Sequence, residues 1–257
     1  REYKMASFRF DLMGHQPRDA MVAMQQRLRR ELGREVQFIG EGWNFGEVAN
    51  GARFVQASQL SLNGTGIATF SDRGRDAARG GSAGDGGAAM VSRQGWLSGL
   101  HYAPNVLGGS ASREDLLKAA DLVRVGLSGS LRGFALQNHR GQVLPMAQID
   151  YAGQPAGYVA QPGEVVNYVE NHDNQTLFDT LALKLPRDTS REDRARVQVL
   201  GLALTAFSQG VAYFHAGAEI LRSKSLDRNS YDSGDWFNRL DWTLQDNHFG
   251  TGLPPAP

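Results

Sequence analysis

Two short stretches of the sequence, FRFDL (Phe8 to Leu12) and VQFIGEGW (Val36 to Trp43), are apolar runs that end in charge and then glycine. This is the pattern of a buried strand that delivers polar groups at its carboxyl end. Alternation along an extended strand puts Arg9 and Asp11 on one side and Phe10 and Leu12 on the other. A guanidinium beside Asp11 favours the charged carboxylate that a nucleophile needs. Glu41 and Trp43 likewise share a side, and an indole wall favours an uncharged carboxyl while offering a flat surface to a sugar ring. One carboxylate that attacks and another that protonates the leaving oxygen are the requirement for glycoside hydrolysis. The same residues also suit a structural ion pair between Arg9 and Asp11 and a solvated strand-end position for Glu41.

A third polar cluster, YVENHDN, closes the segment EVVNYVENHDN (Glu164 to Asn174). Glu170, His172 and Asp173 could be metal ligands, but a strand alternates their directions and no second histidine sits at helical spacing. Structural hydrogen bonding by Asn171, His172 and Asn174 is the plainer reading.

The rest of the chain says what can position such groups. Among 257 residues, 27 basic and 27 acidic side chains cancel, so no bulk attraction to nucleic acid or anionic membrane is expected. With 41% hydrophobic residues, the chain can bury the core of one large α/β domain. Cysteine is absent, which excludes disulfides and thiolate metal sites. No basic region followed by an apolar one opens the sequence as a signal peptide would. The longest apolar stretch, Val197 to Gly217, is broken by Gln198, Thr205, Ser208, Gln209 and Gly210, so it reads as soluble protein rather than a membrane span.

FRFDL is followed by PRDAMVAMQQRLRRELG, in which Met21, Met24, Leu28 and Leu32 recur at helical spacing between Pro17, suited to a first turn, and Gly33, suited to a left-handed stop. With VQFIGEGW this makes a βαβ unit and predicts a parallel sheet. GIATFSD (Gly66 to Asp72) is a third strand candidate, and RGGSAGDGG (Arg79 to Gly87) reads as a flexible loop. A loose excursion over about 81–160 carries a helix near Ser112 to Val123. EVVNYVENHDN then forms a strand, a helix begins near Ser190, and VAYFHAGAE (Val211 to Glu219) gives a last strand. Polar residues gather where each strand ends: Asp11, Glu41, Asp72, Asn171 to Asn174, and His215. In parallel α/β sheets and barrels the carboxyl ends of the strands make the ligand face.

FRFDLMGH, FIGEGWNFGE and YVENHDNQTLFD, in this order, resemble the conserved segments of the α-amylase superfamily (glycoside hydrolase family 13), specifically its pullulanase-type debranching enzymes. GTGIATFSDRGRDAARGG and the tail FHAGAEILRSKSLDRNSYDSGDWFNRLDW resemble the same subgroup. The resemblance implies a (β/α)8 TIM barrel and hydrolysis of α-1,6-glucosidic linkages in pullulan, glycogen or starch dextrins by a retaining double displacement. Asp11 would be the nucleophile, Glu41 the general acid and base, and Asp173 a third carboxylate that grips sugar hydroxyls and distorts the ring. His172 would bond the same sugar, Arg9 would orient Asp11, Trp43 would contact the sugar at the cleavage point, and Asp235 with Arg239 would hold the next glucose. A retaining enzyme places its two carboxyl groups about 5–5.5 Å apart.

In the resembled family three barrel strands precede FRFDL, whereas seven residues do so here, so the chain reads as one incomplete barrel domain over 1–257, about strands four to eight, with a long insertion after strand six. Ala6 and Ser7 stand where the family usually has Asp and Gly. Open edges at the outer strands predict self-association or completion by further polypeptide, and little activity of the chain alone. No cofactor is required by such chemistry. Calcium is an expectation from the resemblance alone, since no loop has an EF-hand pattern. Localisation leans extracellular or periplasmic on the same ground. Readings that compete with a debranching hydrolase are an α-1,4-acting amylase, a glycogen debranching enzyme, and a non-catalytic carbohydrate-binding fragment using Trp43, Trp96 and Tyr168.

Overall fold

A computed structural model describes residues 3–252, so the first two and last five residues of the 1–257 domain reading lie outside the described residues. Strand β1 (Ser7–Phe10) leads through a short 3-10 turn into helix α1 (Arg18–Leu32). Pro17 caps this helix in an extended conformation, and Gly33 ends it at φ 63°, a left-handed conformation that suits glycine. Strand β2 (Gln37–Gly40) returns parallel to β1, with Phe8 opposite Phe38. Strand β3 (Ala68–Phe70) is followed at once by helix α2 (Asp72–Arg79).

Then come helix α3 (Gly87–Ser92), helix α4 (Arg113–Leu127) and two small antiparallel pairs, β4 (Ala135–Gln137) with β5 (Val143–Pro145) and β6 (Asp150–Tyr151) with β7 (Gln154–Pro155). The capping box of Ser112 and Asp115 starts α4 where the sequence places a helix. Strand β8 (Val165–Asn167), helix α5 (Leu177–Lys184), helix α6 (Arg191–Ala206), strand β9 (Val211–Ala212) and the short helix α7 (Asp235–Asn238) complete the chain. Ser190 caps α6 through its hydroxyl, as the sequence predicts. None of these helices is long and apolar enough to cross a membrane.

Five strands form one parallel sheet in the order β1, β2, β3, β8, β9, the arrangement a βαβ rhythm predicts. The sheet is curled. Asp11 follows β1 and His172 lies beyond β8, three strand intervals away, which is about 14 Å in a flat sheet. Yet a carboxylate oxygen of Asp11 lies 3.8 Å from Nε2 of His172. On the concave side Ile39, Phe70, Tyr168 and Tyr213 pack together, with the Phe70 ring edge-on to both tyrosines at 5.1 and 5.0 Å. On the convex side Phe8, Phe10 and Phe38 pack against Met21, Val22 and Leu28 of α1. The fold is thus mixed α/β with a curled parallel sheet, as a partial barrel requires.

The glycine-rich segment Arg79 to Gly87 forms the connection between α2 and α3, as its composition suggests, and close contacts hold it. A Cβ on Gly80 would sit 2.2 Å from the backbone nitrogen of Gly95, because two chain segments cross there. The buried carboxylate of Asp85 accepts from the Ser82 N–H at 3.0 Å and from Arg93 at 2.7 Å. Glycine serves close approach here rather than mobility.

Candidate active site

Chain path explains how Asp11 and Glu41 meet. After β1 the backbone turns sharply at Leu12, whose φ of 45° lies in the left-handed region and aims its N–H at Oε2 of Glu41, 3.0 Å away. Gly14 then donates to the carbonyl of Glu41 at 2.7 Å. A Cβ on Gly14 would lie 2.2 Å from the carbonyl oxygen of Trp43, so only glycine lets the two strand ends nest.

Arg9 sits between the carboxylates. One guanidinium nitrogen donates to Asp11 Oδ1 at 2.5 Å and the other to Glu41 Oε1 at 2.7 Å. The fork geometry of arginine makes this double contact available, as a lysine could not. The two acids differ in access, with the Asp11 side chain 62% exposed and that of Glu41 only 4%. From β8 the His172 imidazole reaches to 3.8 Å from Asp11 and 3.4 Å from Asp173. The structure therefore gathers Arg9, Asp11, Glu41, His172 and Asp173 at the carboxyl ends of β1, β2 and β8.

Trp43 has a charged neighbour that the sequence did not indicate. Arg75 of α2 lies over its ring at 5.8 Å and over the Tyr168 ring at 5.4 Å, while the groups that reach Glu41 are Arg9 and the Leu12 N–H. Arg75 and Tyr213 are wall residues that sequence reading missed. Tyr213 could have been found, since it alternates with Val211 toward the concave side. Asp235 opens α7 and Arg239 follows it, both exposed and with no hydrogen-bond or ion-pair partner for either side chain among the described residues, so no contact ties them to the cluster.

The other strand-end polar groups are structural. Asp72 accepts from fully buried Arg73 at 2.5 Å. His215 and Glu170 are buried together, Nδ1 to Oε1 at 3.1 Å, and Arg222 donates to the other ring nitrogen. Glu170 also accepts the N–H of Leu177 at the start of α5. Its two oxygens are thus taken by His215 and the Leu177 N–H, and Glu170, His172 and Asp173 do not bring ligand atoms together among the described residues, which ends the metal reading of that trio. One atom each from Asp11, Glu41 and His172 lies within 4.8 Å of the others, the only such group among the described residues. Two carboxylates already held by a guanidinium do not fit calcium, which takes six to eight oxygen ligands. The carbohydrate-binding reading loses two of its aromatics, since Tyr168 is buried under Phe70 and Trp96 packs with Leu97, Val169 and Leu177.

No protein-family model matches the chain. It is 46% identical over 253 residues to a pullulanase of Klebsiella aerogenes, covering 98% of the chain and 23% of that protein. Chloroplastic pullulanase 1 of Arabidopsis thaliana is 44% identical over 264 residues, covering 98% and 27%. The Klebsiella pneumoniae pullulanase solved with maltotriose superposes with a TM-score of 0.93 at 45% identity, over 98% of this chain and 24% of that one. Apo pullulanase from Paenibacillus barengoltzii gives 0.68 at 30% identity, over 95% and 31%. The chain thus spans about a quarter of the length of the curated relatives it matches, and over nearly all of its own length it is similar to a segment of pullulanases.

Proposed function

We propose that this chain carries the catalytic carboxylates of a debranching glycoside hydrolase that cleaves α-1,6-glucosidic bonds by a retaining double displacement, on a sheet equivalent to barrel strands four to eight with the excursion after strand six. The observation that carries the reading is the bridge from Arg9 to both Asp11 and Glu41 at the ends of adjacent parallel strands. Exposed Asp11 attacks the anomeric carbon while the hydrogen bond from Arg9 aims its carboxylate. Buried Glu41 gives its proton to the leaving oxygen, then takes one from water as the glycosyl ester on Asp11 is hydrolysed. An oxygen of Asp11 within 4.8 Å of one of Glu41 supports this two-step path, because an inverting pair stands about 6.5–9.5 Å apart. His172 and Asp173, on the opposite rim, bond the hydroxyls of the same sugar, Trp43 lines the cleavage point, and Asp235 with Arg239 hold the next glucose. An α-glucan is accordingly the substrate, and side chains and water suffice for the chemistry.

The test is maltotriose release from pullulan by the purified chain. Should the chain alone release none, the assay is repeated in a chimera in which it replaces its counterpart in the Klebsiella pullulanase. Asp11→Asn and Glu41→Gln should each cut turnover by at least about a thousandfold. Hydrolysis that survives Asp11→Asn removes the nucleophile assignment, and cleavage of amylose in preference to pullulan replaces α-1,6 by α-1,4 specificity.

A further inference from the structure

The peptide that carries Asp173 is gripped from behind by a buried lysine. Lys224 is 3% exposed, and its Nζ donates to the carbonyl of His172 at 2.5 Å and to that of Asn174 at 2.7 Å. These are the carbonyls of the residues on either side of Asp173. Their fixation sets the orientation of the peptide planes around Asp173 and so the direction of its Cα–Cβ bond.

Lys224 is itself anchored. Its N–H donates to Asp179 Oδ2 at 2.7 Å, and Ser223 donates its hydroxyl to Oδ1 of the same carboxylate at 2.5 Å. Asp179 is fully buried in the first turn of α5. Four residues on, the carbonyl of Arg228 accepts the N–H of Asn174 at 3.1 Å, where the chain takes a left-handed φ of 61°.

Among the described residues no carboxylate lies within ion-pair distance of the Lys224 ammonium. Desolvation, the largest influence, pushes it down to about 8, with Glu170, Asp173 and Asp179 opposing. A methionine would fill this volume but leave the His172 and Asn174 carbonyls without their buried donor, so the ammonium is the group that ties this turn to the segment carrying Lys224.

We propose that Lys224 is the positioning residue for Asp173, locking the His172–Asn174 backbone so that the carboxylate stands against the sugar without itself touching substrate. This rests on the hydrolytic reading above for its consequence, but not for its geometry.

The test compares Lys224→Met with the parent in two measurements. Amide exchange over residues 171–175 should accelerate at least about tenfold while β3 and β8 stay within about twofold of the parent. In pullulan hydrolysis kcat should fall about 100-fold with KM changed less than about threefold, since misplacement of about 1 Å acts on the transition state. Unchanged exchange at 171–175, acceleration throughout the sheet, or a retained kcat each overturns the proposal. A parent that releases no maltotriose even in the chimera defeats the hydrolytic reading instead, and exchange then decides the positioning alone.

Discussion

Asp11 and Glu41 carry the same functional group and share one arginine, but the backbone turn after β1 leaves Asp11 exposed and covers Glu41. Arg9 spans both carboxylates with two nitrogens, whereas the single ammonium of Arg9→Lys can satisfy one of them at a time. That substitution should lower pullulan kcat/KM by about 100-fold while leaving the melting temperature within a few degrees, as steady-state assay and calorimetry would read. A buried lysine of a different kind makes the protein sensitive to pH. Lys184 donates its ammonium to the carbonyls of Arg79, Gly80 and Arg93, and burial pushes it down to about 7 from an ordinary 10.5. Between those values the unfolded chain holds the proton and the folded one releases it, so stability rises with pH across that window and its penalty is complete below pH 7. Lys224, pushed down to about 8, adds in the same direction. Tyr158 and Tyr168, raised to about 12 by burial, reverse the trend only above about pH 10, the ordinary tyrosine value. A tenfold difference in proton affinity between the folded and unfolded chain is worth at most about 1.4 kcal/mol, so the urea midpoint should climb between pH 7 and pH 9.5. In Lys184→Met the climb should be shallower although the protein is weaker at every pH. A midpoint that falls over this range contradicts the argument.

The α2 helix carries Arg75 into the site wall, and it is held by its crossing with α4. At that crossing glycine meets glycine, and a Cβ on Gly126 would lie 3.1 Å from the Cα of Gly74. Gly126→Ala should be close to neutral, because a gain of about 0.8–1 kcal/mol in helix propensity offsets a small displacement. Gly126→Val cannot be absorbed in that way and should cost about 1–3 kcal/mol, read as a lower urea midpoint and faster proteolysis of residues 81–160. The same elements show what the sequence can convey. β1, α1 and β2 were legible because Pro17, Gly33 and the alternating aromatics act over a few residues, and the Ser190 cap of α6 is equally local. The Arg79–Gly87 segment was legible as a loop, but its crossing with Gly95 was not, because a glycine needed for close approach has the same local signature as one that lends mobility. Helix α2 and the small pairs β4–β5 and β6–β7 escaped notice since each is too short for a period to emerge. At the site, Arg9, Asp11 and Glu41 follow from strand alternation. The link from Lys224 to Asp173 depends on residues far apart in sequence, and Trp43 took its partner from α2, which no local pattern announces.

Among the described residues, β1 and β9 each have a paired neighbour on one side only, and a closed barrel of this type needs eight strands. An unpaired parallel edge offers a row of backbone donors and acceptors to any other chain. Large apolar side chains stand exposed beside both edges, with Tyr3 and Met5 ahead of β1 and Phe207 ahead of β9. The 27 positive and 27 negative side chains leave no net repulsion between copies near neutral pH. Hydrophobic burial and edge pairing therefore act together with nothing at long range to oppose them. We expect the purified chain to sediment at micromolar concentration as a species larger than the monomer. Met5→Lys combined with Phe207→Lys should shift that distribution toward monomer, because a lysine beside a strand edge is costly to bury in a pairing. Since both side chains are already exposed, the double variant should keep the parent's circular dichroism. A monomer across the whole concentration range would mean that the edges are covered by the chain's own segments, and the completion argument would fail with it.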